Sequence, residues 1–247
     1  MQFQLIGNSA ITSDIGILLP TYREEENISK LIEAIEDLKL GASILVIDDS
    51  SPDNTAQIVK EKQSKYKNIL LCIRPKKSGL GTAITDGFKY FLSLKQPPKY
   101  IITMDADYSH NPQDIPQLLS KISESDCAIV IGSRYIKGGK IEGWPFTRKI
   151  ISRTANSVAR FSLGLKLHDC TSGFRCYSTK FLSATISSLH SHTYEIQIET
   201  IRQASLRNFN MKETPVLFVN RKIGKSKLTS TEIRSYITYT LKAISRS

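Results

Sequence analysis

The stretch Ile44–Asp49, with the sequence ILVIDD, carries the pattern that decides the fold of this chain. Four apolar residues, three of them β-branched, end in two adjacent carboxylates. A short apolar run of this kind is typical of a strand that is buried on both faces. Such strands occur mainly in parallel sheets covered by helices on both sides, so the stretch predicts an α/β protein.

The flanking sequence repeats this unit, with helical patterns between the apolar runs. Apolar residues recur at helical spacing over 27–38, and Asp53 and Thr55 supply cap-type chemistry for a following helix. The alternation predicts a doubly wound, mostly parallel sheet. The expected strands are Ile15–Leu19, Ile44–Ile47, Ile69–Ile73, Tyr100–Met104, Ala128–Ile131 and Thr214–Val219. The expected helices are Asn27–Leu38, one through Ile58 and Val59, Thr82–Leu94, Pro116–Ser123, and two amphipathic helices within Trp144–Leu165 and Thr231–Ile244.

The composition fits a single globular domain over residues 1–247. Apolar residues make up 40% of the 247 residues, enough to bury a substantial core. No apolar run approaches the ~18 residues of a transmembrane helix, and the N-terminus lacks a signal-peptide pattern. The four cysteines have no C-x-x-C spacing, which indicates reduced thiols in a cytosolic protein.

The charge is distributed unevenly between two parts of the chain. Residues 1–133 hold 14 Lys and Arg against 17 Asp and Glu, a net charge of −3. Residues 134–247 hold 20 against 6, a net charge of +14. This basic half suits phosphate groups, an anionic lipid surface or a nucleic acid, and its sign alone does not choose among them.

Polar residues follow three of the expected strands. Asp105 and Asp107 come directly after the fourth strand, and carboxylates at i and i+2 on extended backbone point to the same side. They can share a divalent cation that in turn holds a diphosphate. Asp49 can accept hydrogen bonds from a ribose or a base, Tyr22 offers a flat ring, and Glu24 offers an acceptor. Because parallel strands end at one edge of a sheet, this polar chemistry is expected to cluster there.

Seven motifs occur along the chain in a characteristic order. In the first half they are Pro20-x-Tyr22-x-Glu24-x-x-Asn27, Val46-Ile47-Asp48-Asp49-x-Ser51-x-Asp53, Gly79-Leu80-Gly81 and Met104-Asp105-Ala106-Asp107-x-Ser109-His110-x-Pro112. In the second half they are Gly132-Ser133-Arg134-Tyr135, Asp169-x-Thr171-Ser172-Gly173-Phe174-Arg175 and Arg221-x-x-Gly224-x-Ser226-Lys227. The motifs of the first half resemble family 2 inverting glycosyltransferases with a GT-A fold. Those of the second half are similar to the dolichol-phosphate mannose synthases of that family.

This resemblance covers roughly residues 15–228 and implies a fold and an activity. The fold would be a GT-A type α/β domain with a Rossmann-like, mostly parallel sheet. The activity would be inverting transfer of mannose from GDP-mannose to dolichyl or another polyprenyl phosphate, giving dolichyl β-D-mannosyl phosphate for protein or lipid glycosylation. Residues 1–133 would form the nucleotide-sugar and metal half, and residues 134–247 the acceptor and membrane-facing half.

The resemblance also assigns roles to individual residues. The guanosine would be held by Pro20, Tyr22, Glu24, Ile47 and Asp49. The diphosphate and a divalent metal, Mg²⁺ or Mn²⁺, would lie against Asp105, Ala106, Asp107 and Ser109. Donor phosphates would also be contacted by Arg134 and, from a mobile loop, by Arg221 and Lys227. The acceptor phosphate would be bound by Arg134 and Arg148, which with Asp107 form the expected catalytic set.

The residues agree with a phosphate acceptor, because such an acceptor needs no general base. A phosphate monoester is already an anion at pH 7, whereas a hydroxyl acceptor must lose a proton. None of the four histidines occupies an evident base position, and His110 is expected to have a structural role in the turn after Asp107. Arginine can bind phosphate bidentately, which suits Arg134 and Arg148.

A polyprenyl tail stays in the bilayer, so the enzyme is expected to bind peripherally at the cytoplasmic face of an ER or plasma membrane. The stretch Arg134–Lys166 has eight Lys and Arg against one acid, together with Trp144, Phe146 and Phe161. A basic amphipathic helix of this kind lies in the headgroup plane. In relatives, membrane helices follow this region or small membrane subunits assist, and the sequence leaves both arrangements open.

Other functions stay open at this point. A polyprenyl-phosphate glucosyltransferase using UDP-glucose has the same fold, and residue chemistry does not reveal the sugar. A basic nucleic-acid-binding protein is disfavoured, because the strand-end carboxylates would repel phosphate without a metal, and we expect no nucleic-acid partner. The intact Asp105 and Asp107 argue against a non-catalytic subunit. A processive polysaccharide synthase would use a Q-x-x-R-W segment, and the only tryptophan is Trp144.

Overall fold

The structure is a computed structural model, and it describes residues 4–7, 13–162 and 164–220. The strands in this part of the chain are β1 (Gln4–Ile6), β2 (Ile15–Thr21), β3 (Ser43–Asp48), β4 (Ile69–Ile73), β5 (Tyr100–Thr103), β6 (Ile129–Ser133), β7 (Lys140–Glu142), β8 (Arg175–Ser178), β9 (Met211–Pro215) and β10 (Leu217–Val219). The helices are α1 (Ile28–Glu36), α2 (Thr55–Lys65), α3 (Leu80–Ser93), α4 (Ile115–Ser125), α5 (Phe146–Ser162), α6 (Thr179–Thr185) and α7 (Ile196–Leu206). The predicted helix Thr231–Ile244 lies outside the described residues.

Eight of these strands form one sheet in the order β1-β4-β3-β2-β5-β8-β6-β9. The neighbours β4, β3, β2 and β5 run parallel, and so do β6 and β9. Two strands run in the opposite direction: β1 at one edge beside β4, and β8 between β5 and β6. The mostly parallel α/β fold predicted from the sequence is therefore confirmed, with one antiparallel strand inserted in its interior.

The sheet separates two apolar cores, because successive residues of a strand point to opposite faces. On one face Leu18 of β2 belongs to a cluster with Phe88 of α3 and Phe181 of α6. On the other face Ile17 and Leu19 belong to a cluster with residues of α1, α2 and α4. Helices thus cover both faces, as the alternating pattern predicts, and the carboxyl edge of the parallel strands carries the polar loops.

The single late strand predicted at Thr214–Val219 is wrong, because the chain forms two strands there and they belong to different sheets. β9 pairs with β6 in the main sheet, whereas β10 pairs with β7 in a two-stranded parallel sheet. Val216 makes the change of sheet: its N–H donates to Ser133 O, and its carbonyl accepts from Lys140 N. Its side chain is buried in the core, so the run of apolar residues continues across Val216. The sequence therefore does not reveal that the strand is interrupted there.

Strand β8 and helix α7 carry no clear signal in the sequence. β8 reads RCYS and starts with a charged residue, and α7 has buried residues on nearly every side rather than one apolar face. Arg175 is fully buried. It donates to the carbonyl oxygens of Ser172, Cys170 and Gln197 and to Thr200 Oγ1. One buried guanidinium therefore ties β8 to α7.

Replacing Arg175 with Met should destabilise the fold, because the change removes four hydrogen bonds and leaves three buried carbonyls without this donor. An unpaired buried polar group costs roughly 1–3 kcal/mol, so the free energy of unfolding should fall by about 3 kcal/mol or more. Urea unfolding followed by circular dichroism measures the change. The control Lys180→Met removes an exposed charge on α6 and should change the free energy of unfolding by less than about 0.5 kcal/mol. Equal losses in the two variants would show that these bonds do not hold β8 to α7.

Candidate active site

The carboxyl ends of β2, β3 and β5 open into a pocket that also receives residues from the start of α3 and from the loop before α7. Ligands of open parallel sheets bind at this edge. The pocket is lined by Pro20, Thr21, Tyr22, Glu24, Asp49, Lys77, Gly79, Leu80, Ala83, Asp105, Ala106, Asp107 and Tyr194. The donor and metal residues expected from the sequence that the structure brings together here are Pro20, Tyr22, Glu24, Asp49, Asp105, Ala106 and Asp107.

Other expected donor residues have different positions. Ile47, expected at the guanosine, has its side chain fully buried in the core beneath the pocket. Arg221 and Lys227, expected over the donor phosphates, lie outside the described residues. Lys77 and Tyr194 are not predicted from the sequence, because both belong to loops whose approach to the strand ends is set by tertiary packing. The neighbouring Gly79-Leu80-Gly81 motif is the sequence signal closest to Lys77.

The two adjacent aspartates at the carboxyl end of β3 bind main-chain groups. Asp48 Oδ2 accepts from Ser51 N at 2.8 Å, which closes the turn that follows the strand. Asp49 accepts from the N–H groups of Ser78 and Gly79, each at 3.0 Å, and Arg74 Nε lies 3.4 Å from its Oδ1. Asp49 therefore fixes the loop before α3 in addition to lining the pocket.

Tyr194 reaches the pocket because the loop 191–194 packs closely against two glycines. Gly81 N donates to His192 O at 3.0 Å. A Cβ on Gly81 would lie 2.4 Å from Ser191 O, and a Cβ on Gly79 would lie 2.4 Å from His192 O. Gly79 also has a φ of 101°, which favours glycine. The Gly-x-Gly motif thus allows two backbone segments to meet at the wall of the pocket.

Asp105 and Asp107 lie at the end of β5, on the side of the pocket nearest β8. Asp107 Oδ1 accepts from Ser109 N at 3.0 Å, and a Cβ on Gly173 would lie 3.2 Å from Asp105 Oδ1. Ser109 Oγ is buried and has no hydrogen-bond partner among the residues that the structure describes. No group of three His, Cys, Asp or Glu side chains suited to a metal occurs within the described residues. Two carboxylates and an orphaned hydroxyl fit a hard cation whose other ligands are phosphate and water.

His110 packs behind the two aspartates. Its ring centroid lies 5.1 Å from that of Phe174 and 5.0 Å from that of Phe218, and its Nε2 lies 3.9 Å from Asp105 Oδ2. Burial, followed by the positive charge of Arg134, lowers the pKa of His110 to about 4. The imidazole is therefore neutral at pH 7 and packs as an aromatic ring, in line with the structural role expected from the sequence.

Arg134 is held in a buried ion pair. Its Nε and Nη2 donate to the two carboxylate oxygens of Asp169 at 2.7 and 2.8 Å, and Nη2 also donates to Thr171 Oγ1 at 2.7 Å. Burial alone would raise the pKa of Asp169, but the charge and hydrogen bonds of Arg134 outweigh it and lower that pKa. The guanidinium is close enough to Asp105 for their charges to interact.

Arg148, on α5, reaches the same region. Its guanidinium carbon lies 4.1 Å from the centroid of a Trp144 ring, and that of Arg134 lies 5.4 Å from a Trp144 ring centroid. Arg148 Nη1 also donates to Asn220 Oδ1 at 3.2 Å. The structure therefore brings together the two arginines that the sequence assigns to the acceptor phosphate. Trp144 itself is buried against Phe218, so its expected place on a membrane-facing surface is wrong.

Helix α5 confirms the amphipathic helix predicted within Trp144–Leu165. It is anchored through the buried Asn156 and Ala159. Arg153 is exposed, and Lys149 and Arg160 are half-buried. Among the described residues, no helix is both long enough and apolar enough to cross a bilayer. The exposed apolar side chains of α5 are Phe146, Ile150, Ile151, Val158 and Phe161, the last of them 92% exposed.

Comparison with known sequences identifies relatives over most of the chain. A sequence model of the family described as "Glycosyl transferase family 2" matches residues 16–185. The chain is 34% identical over 220 residues to the polyprenol monophosphomannose synthase of Mycolicibacterium smegmatis, covering 88% of this chain and 82% of that protein. It is 35% identical over 214 residues to the undecaprenyl-phosphate mannosyltransferase of Micrococcus luteus, covering 86% of each.

Solved structures share the fold. Glucosyl-3-phosphoglycerate synthase of Mycobacterium tuberculosis, in complex with Mn²⁺, UDP and glucosyl-3-phosphoglycerate, matches with a TM-score of 0.63 at 16% identity, covering 93% of this chain and 78% of that chain. A mannosyltransferase of Pyrobaculum calidifontis, in complex with GDP-Man and Mn²⁺, matches with a TM-score of 0.66 at 11% identity, covering 100% and 68%. These matches confirm the expected GT-A type architecture.

Acid should destabilise the metal-free protein through His110. Its pKa is about 4 in the fold against 6.5 ordinarily, so between these values the unfolded chain binds more protons and stability falls as the pH falls. From pH 7 to pH 5 the wild-type free energy of unfolding should fall by roughly 1–2 kcal/mol more than that of His110→Phe, which cannot be protonated. Urea unfolding at the two pH values, in excess chelator, measures the difference.

The control for this experiment is His168→Gln. His168 is exposed and its ring contacts Glu213, so this variant should keep most of the wild-type pH dependence. If His110→Phe and the wild-type protein lost the same stability on acidification, the buried imidazole would not be the group responsible.

Proposed function

The chain belongs to glycosyl transferase family 2 and is a glycosyltransferase, and on that premise we propose that it transfers mannose from GDP-mannose to a polyprenyl phosphate with inversion. The observation that carries the proposal is the pocket in which Tyr22, Glu24 and Asp49 meet Asp105 and Asp107. The activities named for the two bacterial relatives support mannose as the sugar and a lipid phosphate as the acceptor. With dolichyl phosphate, the product would be dolichyl β-D-mannosyl phosphate for protein or lipid glycosylation.

The donor lies across the pocket, with its guanosine at Tyr22 and its diphosphate at the end of β5. Tyr22 provides a ring for stacking. Glu24 is a buried carboxylate that lines the pocket and suits the N–H groups of a guanine edge. Asp49 shapes the wall by binding the loop before α3. Arg221 and Lys227 remain proposed as further cations over the diphosphate.

The diphosphate end of the site suits a divalent cation. Asp105 and Asp107 would hold Mg²⁺ or Mn²⁺, with the orphaned hydroxyl of Ser109 as a further ligand. When bound, the ion supplies positive charge against the leaving diphosphate. The presence of Mn²⁺ in complexes of two structurally similar enzymes supports this assignment.

The acceptor phosphate lies between the donor sugar and the two arginines around Trp144. Among the described residues, Arg134 uses Nε and Nη2 for Asp169 and Thr171, and its Nη1 would contact a phosphate oxygen. Arg148 supplies a second guanidinium. An oxygen of the acceptor phosphate attacks the anomeric carbon, the bond from that carbon to the diphosphate breaks, and GDP leaves with the bonding electrons. No general base is needed, because the phosphate is already ionised at pH 7.

The exposed face of α5 is the proposed contact with the membrane, at its cytoplasmic side. The acceptor tail stays in the bilayer, so the site must come to the surface. Phe146, Ile151 and Phe161 are exposed on this helix beside basic residues, which is the composition of a helix lying in the headgroup layer. Anionic lipid would add about 1 kcal/mol for each basic residue near it.

Asp107→Asn should lower the transfer rate by roughly 100-fold or more, because it removes half of the paired carboxylates that hold the cation at the diphosphate. The assay follows labelled mannose from GDP-mannose onto a panel of polyprenyl phosphates, with UDP-glucose in parallel. Excess chelator should abolish transfer and added Mn²⁺ or Mg²⁺ should restore it. The control Asp126→Asn neutralises an exposed carboxylate after α4 and should keep full activity. Full activity in excess chelator would show that transfer does not need a bound metal. A preference for UDP-glucose would show that GDP-mannose is not the donor.

Charge reversal on α5 should weaken binding to anionic vesicles. Replacing Lys149, Arg153 and Arg160 together with Glu removes three favourable charges, so we expect at least about tenfold weaker binding at low salt. Co-sedimentation with phosphatidylglycerol vesicles at low and high salt measures it. The control replaces Lys60, Lys65 and Lys67, on α2 and the segment after it, with Glu. This triple variant changes the net charge by the same amount and should weaken vesicle binding much less. Equal effects of both triples would mean that α5 is not the docking face.

A further inference from the structure

Within the described residues, Lys77 is the only cation that lines the nucleotide pocket. Its Nζ lies 4.2 Å from the centroid of the Tyr22 ring. The ammonium group therefore lies over the ring on which the donor base is proposed to stack. Within the part of the chain that the structure describes, Lys77 makes no ion pair with a carboxylate, and its ammonium group contacts the Tyr22 ring.

The backbone on both sides of Lys77 is fixed, although its side chain is exposed. The N–H groups of Ser78 and Gly79, the two residues that follow, donate to the Asp49 carboxylate at 3.0 Å. On the other side, Arg74 N donates to Asp48 O at 2.9 Å, and the Arg74 side chain approaches Asp49, with Nε 3.4 Å from Oδ1. These contacts place the start of the Lys77 side chain at the rim of the pocket, leaving only its flexible end to move.

The order of the strands assigns this end of the pocket to the base rather than to the phosphates. Lys77 follows β4, which is separated from β5 by β3 and β2. At about 4.8 Å per strand, the carboxyl ends of β4 and β5 are roughly 14 Å apart. A nucleotide whose diphosphate lies at Asp105 and Asp107 therefore extends its base toward Tyr22 and Lys77.

We propose that Lys77 is a specificity residue for the donor, donating a hydrogen bond to the carbonyl oxygen on the edge of the base that stacks on Tyr22. The inference rests on the proposed function, which places the guanosine there. Guanine presents the acceptor O6 together with N–H donors. The ammonium of Lys77 matches O6, and the buried carboxylate of Glu24 matches the donors. A base that carries an amino group at the position of O6 would place a hydrogen-bond donor against the ammonium donor of Lys77. Because no hydrogen bond can form between two donors, such a base would bind more weakly.

The test compares the binding of two diphosphates in Mn²⁺ by calorimetry. One is GDP, and the other is the diphosphate of 2,6-diaminopurine riboside, which carries an amino group in place of O6. Lys77→Met keeps the aliphatic stem but removes the donor, so it should weaken GDP binding by about tenfold or more and change binding of the analogue by less than about twofold. Lys76→Met removes the charge of the exposed neighbouring residue and should leave both affinities unchanged.

Two outcomes would overturn the role of Lys77. In one, Lys77→Met keeps the GDP affinity of the wild-type protein; in the other, it weakens GDP and the analogue equally, which would indicate a contact with phosphate instead. Failure of the proposed donor has a separate signature, since the wild-type protein would then bind UDP more tightly than GDP. In that case the inference would require Lys77→Met to weaken binding of UDP while leaving binding of CDP nearly unchanged, because uracil carries a carbonyl oxygen where cytosine carries an amino group.

Discussion

The pairing of β8 with β5 and β6 is the constraint on which the arrangement of the site depends. β8 is antiparallel to both neighbours, so the loop that precedes it arrives at the carboxyl edge of β5, beside Asp105 and Asp107. Thr103 Oγ1 donates to Gly173 O at 2.8 Å, and Gly132 N donates to Phe174 O at 2.9 Å, which fixes this loop on both sides. A parallel strand in the same place would carry its preceding loop to the opposite edge of the sheet.

That loop connects the two ends of the proposed reaction. Its Asp169 holds Arg134, which follows β6, while its Gly173 approaches Asp105, which follows β5. The groups proposed for the acceptor and for the donor diphosphate are therefore positioned by one short segment. Arg175, at the end of the segment, carries a buried charge that is satisfied by carbonyl oxygens and a hydroxyl. The free-energy cost of burying this charge is offset by its hydrogen bonds to three main-chain carbonyls.

Carboxylates that bind main-chain N–H groups shape most of the loops around the pocket. A carboxylate accepts several such bonds at once, and charge-assisted bonds are stronger than neutral ones. The acids used in this way include Asp48, Asp49, Asp169, Glu195, Glu199 and Glu213. The acidic character of the strand ends thus has two causes, since carboxylates there maintain the loops and line the pocket, and Asp49 does both. The basic second half of the chain supplies the opposite charge, in Arg134, Arg148 and the residues of α5.

The sequence alone determines the parallel core of this protein and the edge of the sheet at which its pocket opens. Buried strands such as Ile44–Ile47 are recognisable because both faces require apolar residues, and the carboxylates that follow them must lie at one edge. The motif order also identifies the family and, residue by residue, most of the pocket. Tertiary structure decides what depends on contacts between distant segments. The insertion of β8, the pairing of Arg134 with Asp169, the burial of Trp144 and the approach of Lys77 and Tyr194 all arise from packing between parts of the chain far apart in sequence. Local sequence patterns do not predict such contacts. Each of the two contacting side chains is compatible with many other environments, and only the fold brings them together.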